Sequence, residues 1–503
     1  MLDIKKGKLN VSVSIAFRVL ILVGAIIVRR FLIKYIGNEV NGLDSLYVSI
    51  IGFLMVAELG VGSAITFCMY KPIVERDTAK IAALYQLFVK AYRIIGAVIL
   101  AIGMALIPFL PYLAKDYIGL DIKLGRTFML MLISIVISYV FSAKTSLINA
   151  YKNNYITTAI SSIGTIVQYV SQLAVIVLIG TFEAYLICRI VAMLLQWGLT
   201  EAYTNKQHRE ILRYGRETVD RETGKEVLNK IKALFMHRIG SVLVNSADGI
   251  IISAFIGVTV LGKYSNYTTI AVSMSSVIAL FFSPLTSVIG HSFVAEKDKT
   301  EYYFKKLYFL NFALGVVFFL GYYAVIDNLV AILFGADLEL AKSVAFVITV
   351  NYFVQFMRQA GILFKDATGT FYNDRWKPVF EGSLNIVLSV LLVKLLSAVG
   401  GEELGVVGVI AATIVTNLAI CHIVEPYVLY KYAFNKSAKK YMTKNYLYIA
   451  MFVAALVLMN ALMQTNGNQF VELLINGTIS VGVSAGVLGL AYVNERFIDG
   501  RAE

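Results

Sequence analysis

Arginine side chains stand inside apolar segments of this sequence, where a charge needs a specific partner. Arg18 lies within the apolar run VSVSIAFRVLILVGAIIVRR at residues 11–30, and Arg29 lies near the end of that run. Arg189 and Arg358 lie in two other apolar segments. A charged side chain at the centre of a bilayer costs about 3 kcal/mol or more unless it meets water, a carboxylate or an anionic ligand. Because guanidinium groups match the geometry of phosphate oxygens, these residues predict a cavity that attracts an anionic substrate.

Arg18 has a counterpart in the second half of the chain. The segment FRVLILVGAIIVRRFLIKYIGNEVNGLDSLY begins at Phe17, and HRIGSVLVNSADGIIISAFIGVTVLGKYSNY begins at His237. An offset of 220 residues aligns identical residues, among them Arg18 with Arg238, Gly37 with Gly257, Gly42 with Gly262, and Tyr47 with Tyr267. The alignment predicts a duplicated helical unit, and it makes Arg18 and Arg238 a candidate pair of substrate ligands.

Amide side chains recur at helical spacing along the same segments. Residues at positions i, i+3, i+4 and i+7 share one face of a helix. The amides that we expect to line a polar cavity are Gln168, Gln172, Asn245 and Gln355. Amides also join transmembrane helices to one another, and that alternative stays open for Gln168, Gln172 and Asn351.

Two acidic residues lie in the middle of predicted membrane spans. Glu58 belongs to the second span and Asp248 to the seventh. Each could neutralise a nearby arginine, or bind H⁺ or Na⁺ and couple transport to the membrane potential. Three more titratable residues lie nearer to the cytoplasmic ends of their spans: Glu381, His422 and Glu425. At that depth we expect water to reach them.

The sequence contains no arrangement of residues typical of catalysis. It has no HExxH motif and no paired CxxC motif, and its three cysteines are scattered through apolar segments. The Gly224–Lys225 dipeptide lacks the glycine spacing of a phosphate-binding loop. We therefore expect a secondary transporter rather than an enzyme, without a cofactor and with H⁺ or Na⁺ as the candidate coupling ion.

Membrane-spanning helices are the elements that must position these side chains. Of the 503 residues, 58% are hydrophobic and 15% are charged, whereas a soluble domain carries about 25% charged residues. We predict 14 spans of about 20 residues each. They cover residues 11–35, 44–69, 84–110, 126–148, 157–179, 183–202, 233–256, 265–292, 307–334, 340–364, 378–399, 404–430, 445–463 and 470–493.

The positions of lysine and arginine orient these spans. About 32 of the 45 basic residues fall on the side that holds the amino terminus, against about nine on the other side. Because basic residues are retained in the cytoplasm, both termini are expected to be cytoplasmic. The net charge of +13 is therefore a topology signal, and we expect no nucleic-acid partner.

The repeat and the spans together predict an all-α polytopic membrane protein. Two repeat-related six-helix lobes surround a central cavity, and two additional helices follow them. The predicted boundaries are 1–202 for the N-terminal lobe, 203–232 for a basic cytoplasmic connector, 233–430 for the C-terminal lobe, and 431–503 for the added helices with the tail. Transporters built from such repeats bind their substrate near the membrane midplane.

Two segments resemble a known family of transporters. Residues 35–77, YIGNEVNGLDSLYVSIIGFLMVAELGVGSAITFCMYKPIVERD, resemble its first two helices and the following loop, with Arg29 placed eight residues before Gly37. Residues 365–394, KDATGTFYNDRWKPVFEGSLNIVLSVLLVK, resemble its connection between the tenth and eleventh helices. The chain resembles the O-antigen-type (Wzx-like) polysaccharide flippases of the multidrug/oligosaccharidyl-lipid/polysaccharide (MOP) exporter superfamily. The insertion GEELG at residues 401–405 departs from that pattern.

The resemblance implies a function and a location. An undecaprenyl-diphosphate-linked oligosaccharide would pass from the inner to the outer leaflet of a bacterial plasma membrane by alternating access. Membrane lipids, glycosyltransferases and a glycan polymerase are the implied partners. Four arginines would then contact the diphosphate or acidic sugars, with Arg29 at the outer mouth of the cavity. They are Arg18, Arg189, Arg238 and Arg358.

Two alternatives belong to the same superfamily, a multidrug antiporter and a flippase of peptidoglycan lipid precursors. Cationic drugs would favour a cavity dominated by acidic and aromatic residues, whereas embedded arginines match or outnumber embedded acids here. A membrane-embedded glycan polymerase is a further alternative, but the outer loops predicted for this chain are short.

Overall fold

The computed structural model describes residues 4–58, 60–117, 122–214, 218–282, 285, 289–290, 292–293 and 299–499. Within its helices, side chains are described except at residues 4–16, 18, 232–245, 277, 279–281, 371 and 496–499. The described residues form helices, turns and short connections, with no strand among them. Each of the 14 predicted spans is helical over nearly all of its described residues, so the prediction of an all-α polytopic chain is confirmed.

The chain divides into two compact units, Met1–Thr259 and Val260–Glu503. The described residues of the first unit form ten α-helices: α1 Ile4–Tyr35, α2 Asn38–Leu54, α3 Val61–Glu75, α4 Thr78–Leu106, α5 Leu110–Leu113, α6 Leu124–Ala150, α7 Asn154–Leu178, α8 Phe182–Gln207, α9 Arg209–Arg213 and α10 Arg221–Phe255. Helix α10, which holds the seventh predicted span, packs against α2 and α3 of the same unit. The repeat-based boundary between lobes, at 203–232, stays a prediction.

The second unit contains the remaining helices of the described residues: α11 Val258–Phe282, α12 Thr300–Leu333, α13 Lys342–Met357, α14 Gln359–Thr368, α15 Lys377–Thr416, α16 His422–Leu429, α17 Lys439–Leu462 and α18 Gln469–Asp499. Helix α11 begins two residues before the boundary between units. Nine helical segments of the described part of the chain are long and apolar enough to cross a bilayer. One of them, Lys377–Phe434, contains the eleventh and twelfth predicted spans. These two spans are separated at Gly400 and Gly401, where Gly401 has a φ of 73° that favours glycine.

The two copies of the sequence repeat share a local backbone feature. Gly37 and Gly257 each precede a helix, and their φ angles are 130° and 155°. Both angles are in the range where a Cβ atom is unfavourable, which explains why glycine stands at both positions. The Asn38 side chain also donates a hydrogen bond of 2.8 Å to the carbonyl oxygen of Thr259.

The second predicted span is not a single continuous helix. Helix α2 ends at Leu54, a 3₁₀ turn covers Met55–Glu58, and α3 begins at Val61. Gly60 stands between them with a φ of 72° and a ψ of 15°. The Glu58 carboxylate accepts a hydrogen bond of 2.9 Å from the Tyr92 hydroxyl of α4. Interrupted backbone at membrane depth persists where neighbouring polar groups satisfy it, and Glu58 lies at such a position.

We expect Gly60→Ala to lower the free energy of unfolding by about 1 kcal/mol, because a Cβ atom is unfavourable in the left-handed conformation. Gly198→Ala is the matched control, since Gly198 lies inside α8 with open space where its Cβ would be. There, alanine should be neutral or stabilise by up to about 1 kcal/mol. Thermal unfolding of the purified protein in detergent measures both effects, and equal effects of the two substitutions would contradict this account of the break.

Helices α17 and α18, which hold the last two predicted spans, pack against α12. The Tyr308 hydroxyl donates a hydrogen bond of 2.8 Å to the Asn445 side chain, and the Tyr323 hydroxyl donates one of 2.7 Å to the Asn460 side chain. Both pairs join α12 to α17. Polar contacts between transmembrane helices are worth about 1 kcal/mol each, so these pairs hold the added helices to the rest of the second unit.

Candidate functional site

Three predicted site residues have side chains outside the described residues. Arg18 lies on α1, and Arg238 and Asn245 lie on α10. The backbone of both helices is described, and both helices belong to the first unit. The role of these side chains as substrate ligands stays a prediction.

A charged group near one end of the first unit contains two of the predicted arginines. We call it the Asp44 cluster, and it consists of Arg29, Asp44, Tyr185 and Arg189. The Nη2 atom of Arg189 lies 2.9 Å and 2.7 Å from the two carboxylate oxygens of Asp44. The same nitrogen lies 3.3 Å from the Tyr185 hydroxyl. Asp44 also acts electrostatically on Arg29, which is half-buried.

Three helices bring the Asp44 cluster together. Arg29 precedes the end of α1 by six residues, Asp44 follows the start of α2 by six, and Arg189 follows the start of α8 by seven. At a rise of about 1.5 Å per residue, each lies about 10 Å from its helix end. In the predicted orientation these are the outer ends of the three helices. The three residues are therefore at similar distances from these helix ends, and in the predicted orientation we expect the cluster near the outer surface of the membrane.

Asp44 binds one side of the Arg189 guanidinium group through its Nη2 atom. The side chains of Arg189 and Asp44 are 16% and 13% exposed, so water screens them only partly. The Nε–H group of Arg189 is buried and has no hydrogen-bond acceptor among the described residues. A buried donor left without an acceptor costs about 1–3 kcal/mol. The arrangement can accept a further anionic oxygen.

A second charged group lies in the second unit. We call it the Glu425 cluster, and it consists of Arg358, Lys377, Glu381 and Glu425. Arg358 binds Glu425 through two nitrogen–oxygen contacts of 3.1 Å and 2.6 Å, and it lies 3.5 Å from Glu381. The Lys377 ammonium lies 2.6 Å from Glu425 and 2.9 Å from Glu381. Two cations and two anions therefore neutralise one another.

Two interruptions of regular α-helix bring the residues of the Glu425 cluster together. Arg358 stands between α13 and α14, at a break in the tenth predicted span. A π-helical turn, Asn417–Cys421, connects α15 to α16. Asn417 accepts a hydrogen bond of 2.6 Å from Arg358, and Cys421 lies 3.4 Å from the Lys377 ammonium. Single π turns inside helices are frequent at functional positions, and here the turn brings an amide oxygen to the guanidinium.

The expectation that water reaches Glu381, His422 and Glu425 is wrong. Their exposed fractions are 4%, 2% and 5%. The two glutamates are buried because Arg358 and Lys377 neutralise them, so hydration is not required. His422 is buried because its Nε2 lies 3.1 Å from the Val354 carbonyl oxygen and its Nδ1 lies 2.8 Å from the Asn445 side-chain amide. These bonds assign a neutral imidazole with its proton on Nε2.

The cavity beside the Glu425 cluster is small. Its volume is about 10 Å³, and Arg358, His422 and Glu425 line it. A cavity of this size holds about one water molecule. The predicted role of Arg358 as a ligand of an oligosaccharide diphosphate stays a prediction, and in the described structure its guanidinium is bound by carboxylates of its own unit.

The remaining predicted site residues mostly contact residues of the same helix or of a neighbouring helix in the same unit. The Gln168 amide lies 3.4 Å from the Gln172 side-chain oxygen, and Gln172 donates a hydrogen bond of 3.3 Å to the Tyr185 carbonyl of α8. Gln355 donates one of 3.1 Å to Asn351 on the same helix. Asp248 is half-buried on α10. The bond from Gln172 joins α7 to α8, as the alternative of interhelical contact predicts.

This chain shares its fold with proteins of known structure. No family model and no curated protein matches the chain. The lipid II flippase MurJ in an inward closed conformation matches with a TM-score of 0.65 and 12% identity, covering 96% of this chain and 99% of that one. An inward-facing multidrug resistance MATE family transporter of the MOP superfamily matches with a TM-score of 0.63 and 14% identity, covering 88% of this chain and 98% of that one. A Vibrio cholerae MATE transporter matches with a TM-score of 0.55 and 11% identity, covering 85% and 99%.

Proposed function

We propose that this chain, which has the fold of MOP superfamily transporters, is a flippase of undecaprenyl-diphosphate-linked oligosaccharide. It carries this lipid from the inner to the outer leaflet of a bacterial plasma membrane by alternating access. Glycosyltransferases supply the substrate and a glycan polymerase consumes the product. Both termini lie in the cytoplasm, and H⁺ or Na⁺ provides the driving force.

The observation that carries the proposal is the buried Nε–H group of Arg189 in the Asp44 cluster. Arg189 binds Asp44 through Nη2, and its buried Nε–H lacks an acceptor among the described residues. Charge-assisted hydrogen bonds from guanidinium to phosphate are about twice as strong as bonds between neutral groups. A diphosphate head group supplies the missing acceptor. A cationic drug would meet a guanidinium group, which repels cations, at the same place.

The other predicted ligands contact the substrate at different depths along the membrane normal. Arg18 and Arg238 hold the diphosphate at greater depth, and Arg29 with Arg189 receives it at the outer end. Arg358 contacts acidic sugars only after separation from Glu425. Glu58 and Asp248 serve as coupling or gating groups, and Gln168, Gln172, Asn245 and Gln355 line the polar path.

A flippase of peptidoglycan lipid precursors is the second candidate. The fold alone does not separate it from a multidrug antiporter, because the lipid II flippase and the inward-facing multidrug transporter both share the fold of this chain. Its substrate also carries a diphosphate, so the Asp44 cluster suits both lipids. The substrates of the two candidate functions differ in their sugar and peptide parts.

Deletion of the gene in its host tests the class of substrate. We expect a lipid-linked oligosaccharide to accumulate in the inner leaflet, detected by mass spectrometry of extracted lipids, and to disappear on complementation with the wild-type gene. Accumulation of a lipid-linked muropeptide instead would support the second candidate. Altered drug susceptibility without any accumulated glycolipid would contradict both and favour the multidrug antiporter.

A further inference from the structure

A groove on the first unit lies between α4, α6, α8 and α9. Its volume is about 530 Å³, and none of its lining residues belongs to the Asp44 cluster or the Glu425 cluster. Arg93, Lys144 and Glu201 supply its charged groups, and Trp197 lies among its aromatic residues. One end of the groove is apolar, with Ala97 on its wall. One end of the groove is therefore charged, and the other end is apolar.

The charged end lies at the depth of lipid head groups. After Arg93 the chain carries no charged residue through position 113, and the candidate membrane span that contains it ends at Leu113. These residues, 94–113, extend about 30 Å, which is the thickness of the hydrocarbon core. Arg93 therefore lies at the edge of that core, on the cytoplasmic side in the predicted orientation. Trp197 on α8 is typical of the same interface.

Arg93 carries the uncompensated charge of the groove. Lys144 forms an ion pair with Glu201, which also accepts a hydrogen bond of 3.0 Å from Asn205. Arg93 is exposed and acts electrostatically on Tyr85, and it forms no ion pair or hydrogen bond with the described residues. An arginine at the edge of the hydrocarbon core requires water or an anion. Basic pockets between transmembrane helices on the cytoplasmic side bind anionic head groups.

We propose that this groove binds the phosphate head group of a lipid from the cytoplasmic leaflet. Arg93 is the anion ligand, Tyr85 and Trp197 contact the interfacial part of the lipid, and the acyl chains lie along Gly96, Ala97 and Val136. Two kinds of lipid carry this chemistry, an anionic phospholipid and a lipid-linked diphosphate. The site does not depend on the proposed function, because an anionic phospholipid would occupy it whatever substrate the protein carries.

Trp197 provides a direct reporter of occupancy. The chain contains two tryptophans, and the other, Trp376, is in the second unit. In a Trp376→Phe background, all tryptophan fluorescence comes from the groove. The protein is reconstituted in phosphatidylcholine vesicles that contain increasing fractions of brominated phosphatidylglycerol, with brominated phosphatidylcholine as the neutral comparison. We expect phosphatidylglycerol to reach half-maximal quenching at a mole fraction about fivefold lower, the usual effect of one basic residue at the membrane surface.

Arg93→Gln should abolish this preference, so that both brominated lipids quench equally. Lys90→Gln is the matched control, because Lys90 is exposed on α4 three residues before Arg93 and does not line the groove. It should retain the preference. If Arg93→Gln does not reconstitute, Ala97→Phe tests the proposal by filling the groove without removing charge, and it should reduce quenching by both lipids. Equal quenching by the two lipids in the Trp376→Phe protein, or equal loss in Lys90→Gln and Arg93→Gln, would overturn the proposal.

Competition with unbrominated compounds separates the sources of the phosphate. Relief of quenching by phosphatidylglycerol alone identifies a phospholipid, and relief by undecaprenyl diphosphate at a much lower mole fraction identifies a lipid-linked diphosphate. Both results support a lipid head-group site. Relief by millimolar inorganic phosphate would overturn it, because the groove would then bind a soluble anion.

Discussion

Glu425→Gln is expected to destabilise the second unit by about 3–5 kcal/mol, the usual effect of removing one partner from a buried ion pair. Glutamine has the same shape as glutamate, so the substitution removes charge without opening a cavity. Arg358 and Lys377 would then share only Glu381, which lies 3.5 Å from the guanidinium and 2.9 Å from the ammonium. Thermal unfolding in detergent measures the effect. Glu75→Gln is the control, because its exposed pair with Lys71 should contribute less than about 0.5 kcal/mol.

A second substitution distinguishes the loss of the ion pair from other effects of Glu425→Gln. Lys377→Met in the Glu425→Gln background removes the unmatched cation and leaves Arg358 opposite Glu381. We expect the double variant to be more stable than Glu425→Gln alone, with a coupling energy of about 1–3 kcal/mol between the two sites. A Glu425→Gln variant within about 0.5 kcal/mol of the wild type would show that charge pairing does not hold this cluster together.

Arg18→Ala combined with Arg238→Ala is expected to abolish export while the protein remains in the membrane. Hydrogen bonds to a charged group contribute about 1.5–3 kcal/mol each, so the loss of both arginines should lower export by a factor of about 100 or more. Appearance of the lipid-linked oligosaccharide in the outer leaflet measures export, and immunoblotting of membranes measures abundance.

The control for this variant removes two basic residues from the same helices. Lys34 on α1 and Lys225 on α10 are both exposed, and their double alanine variant should export at the wild-type rate. Conservative replacement of Arg18 and Arg238 by lysine should restore part of the export, because the charge is kept and the fork geometry is lost. Wild-type export from the double alanine variant would disprove the paired role of the two arginines.

Hydropathy alone predicted where the helices lie, and the reason is physical. A chain in lipid must satisfy its backbone hydrogen bonds internally, so an apolar run of sufficient length becomes a helix. The breaks at Gly60 and Arg358 were not predicted, because the apolar pattern continues through both. The available signal for the first break was a glycine, Gly60, two residues after a half-buried acid, Glu58.

The partners of the embedded arginines were only partly predictable. Lys377 and Glu381 are four residues apart on one helix, a spacing that predicts an ion pair. Arg358 and Glu425 are separated by 67 residues, and Arg189 and Asp44 by 145, so no local pattern connects them. Asp44 stands at the first position of the second predicted span, where an acid is easily attributed to the loop. Helix packing then places it beside Arg189.

The two tyrosine–asparagine bonds between α12 and α17 have a mechanical consequence. Tyr308 and Tyr323 are 15 residues apart, as are their partners Asn445 and Asn460. The bonds are therefore about 22 Å apart along nearly parallel helices. A single bond would permit one helix to swing about it, but two bonds at this separation oppose both swinging and sliding. We therefore expect α12 and α17 to move together as one rigid body during any rearrangement that accompanies the proposed transport, with bending elsewhere in the chain.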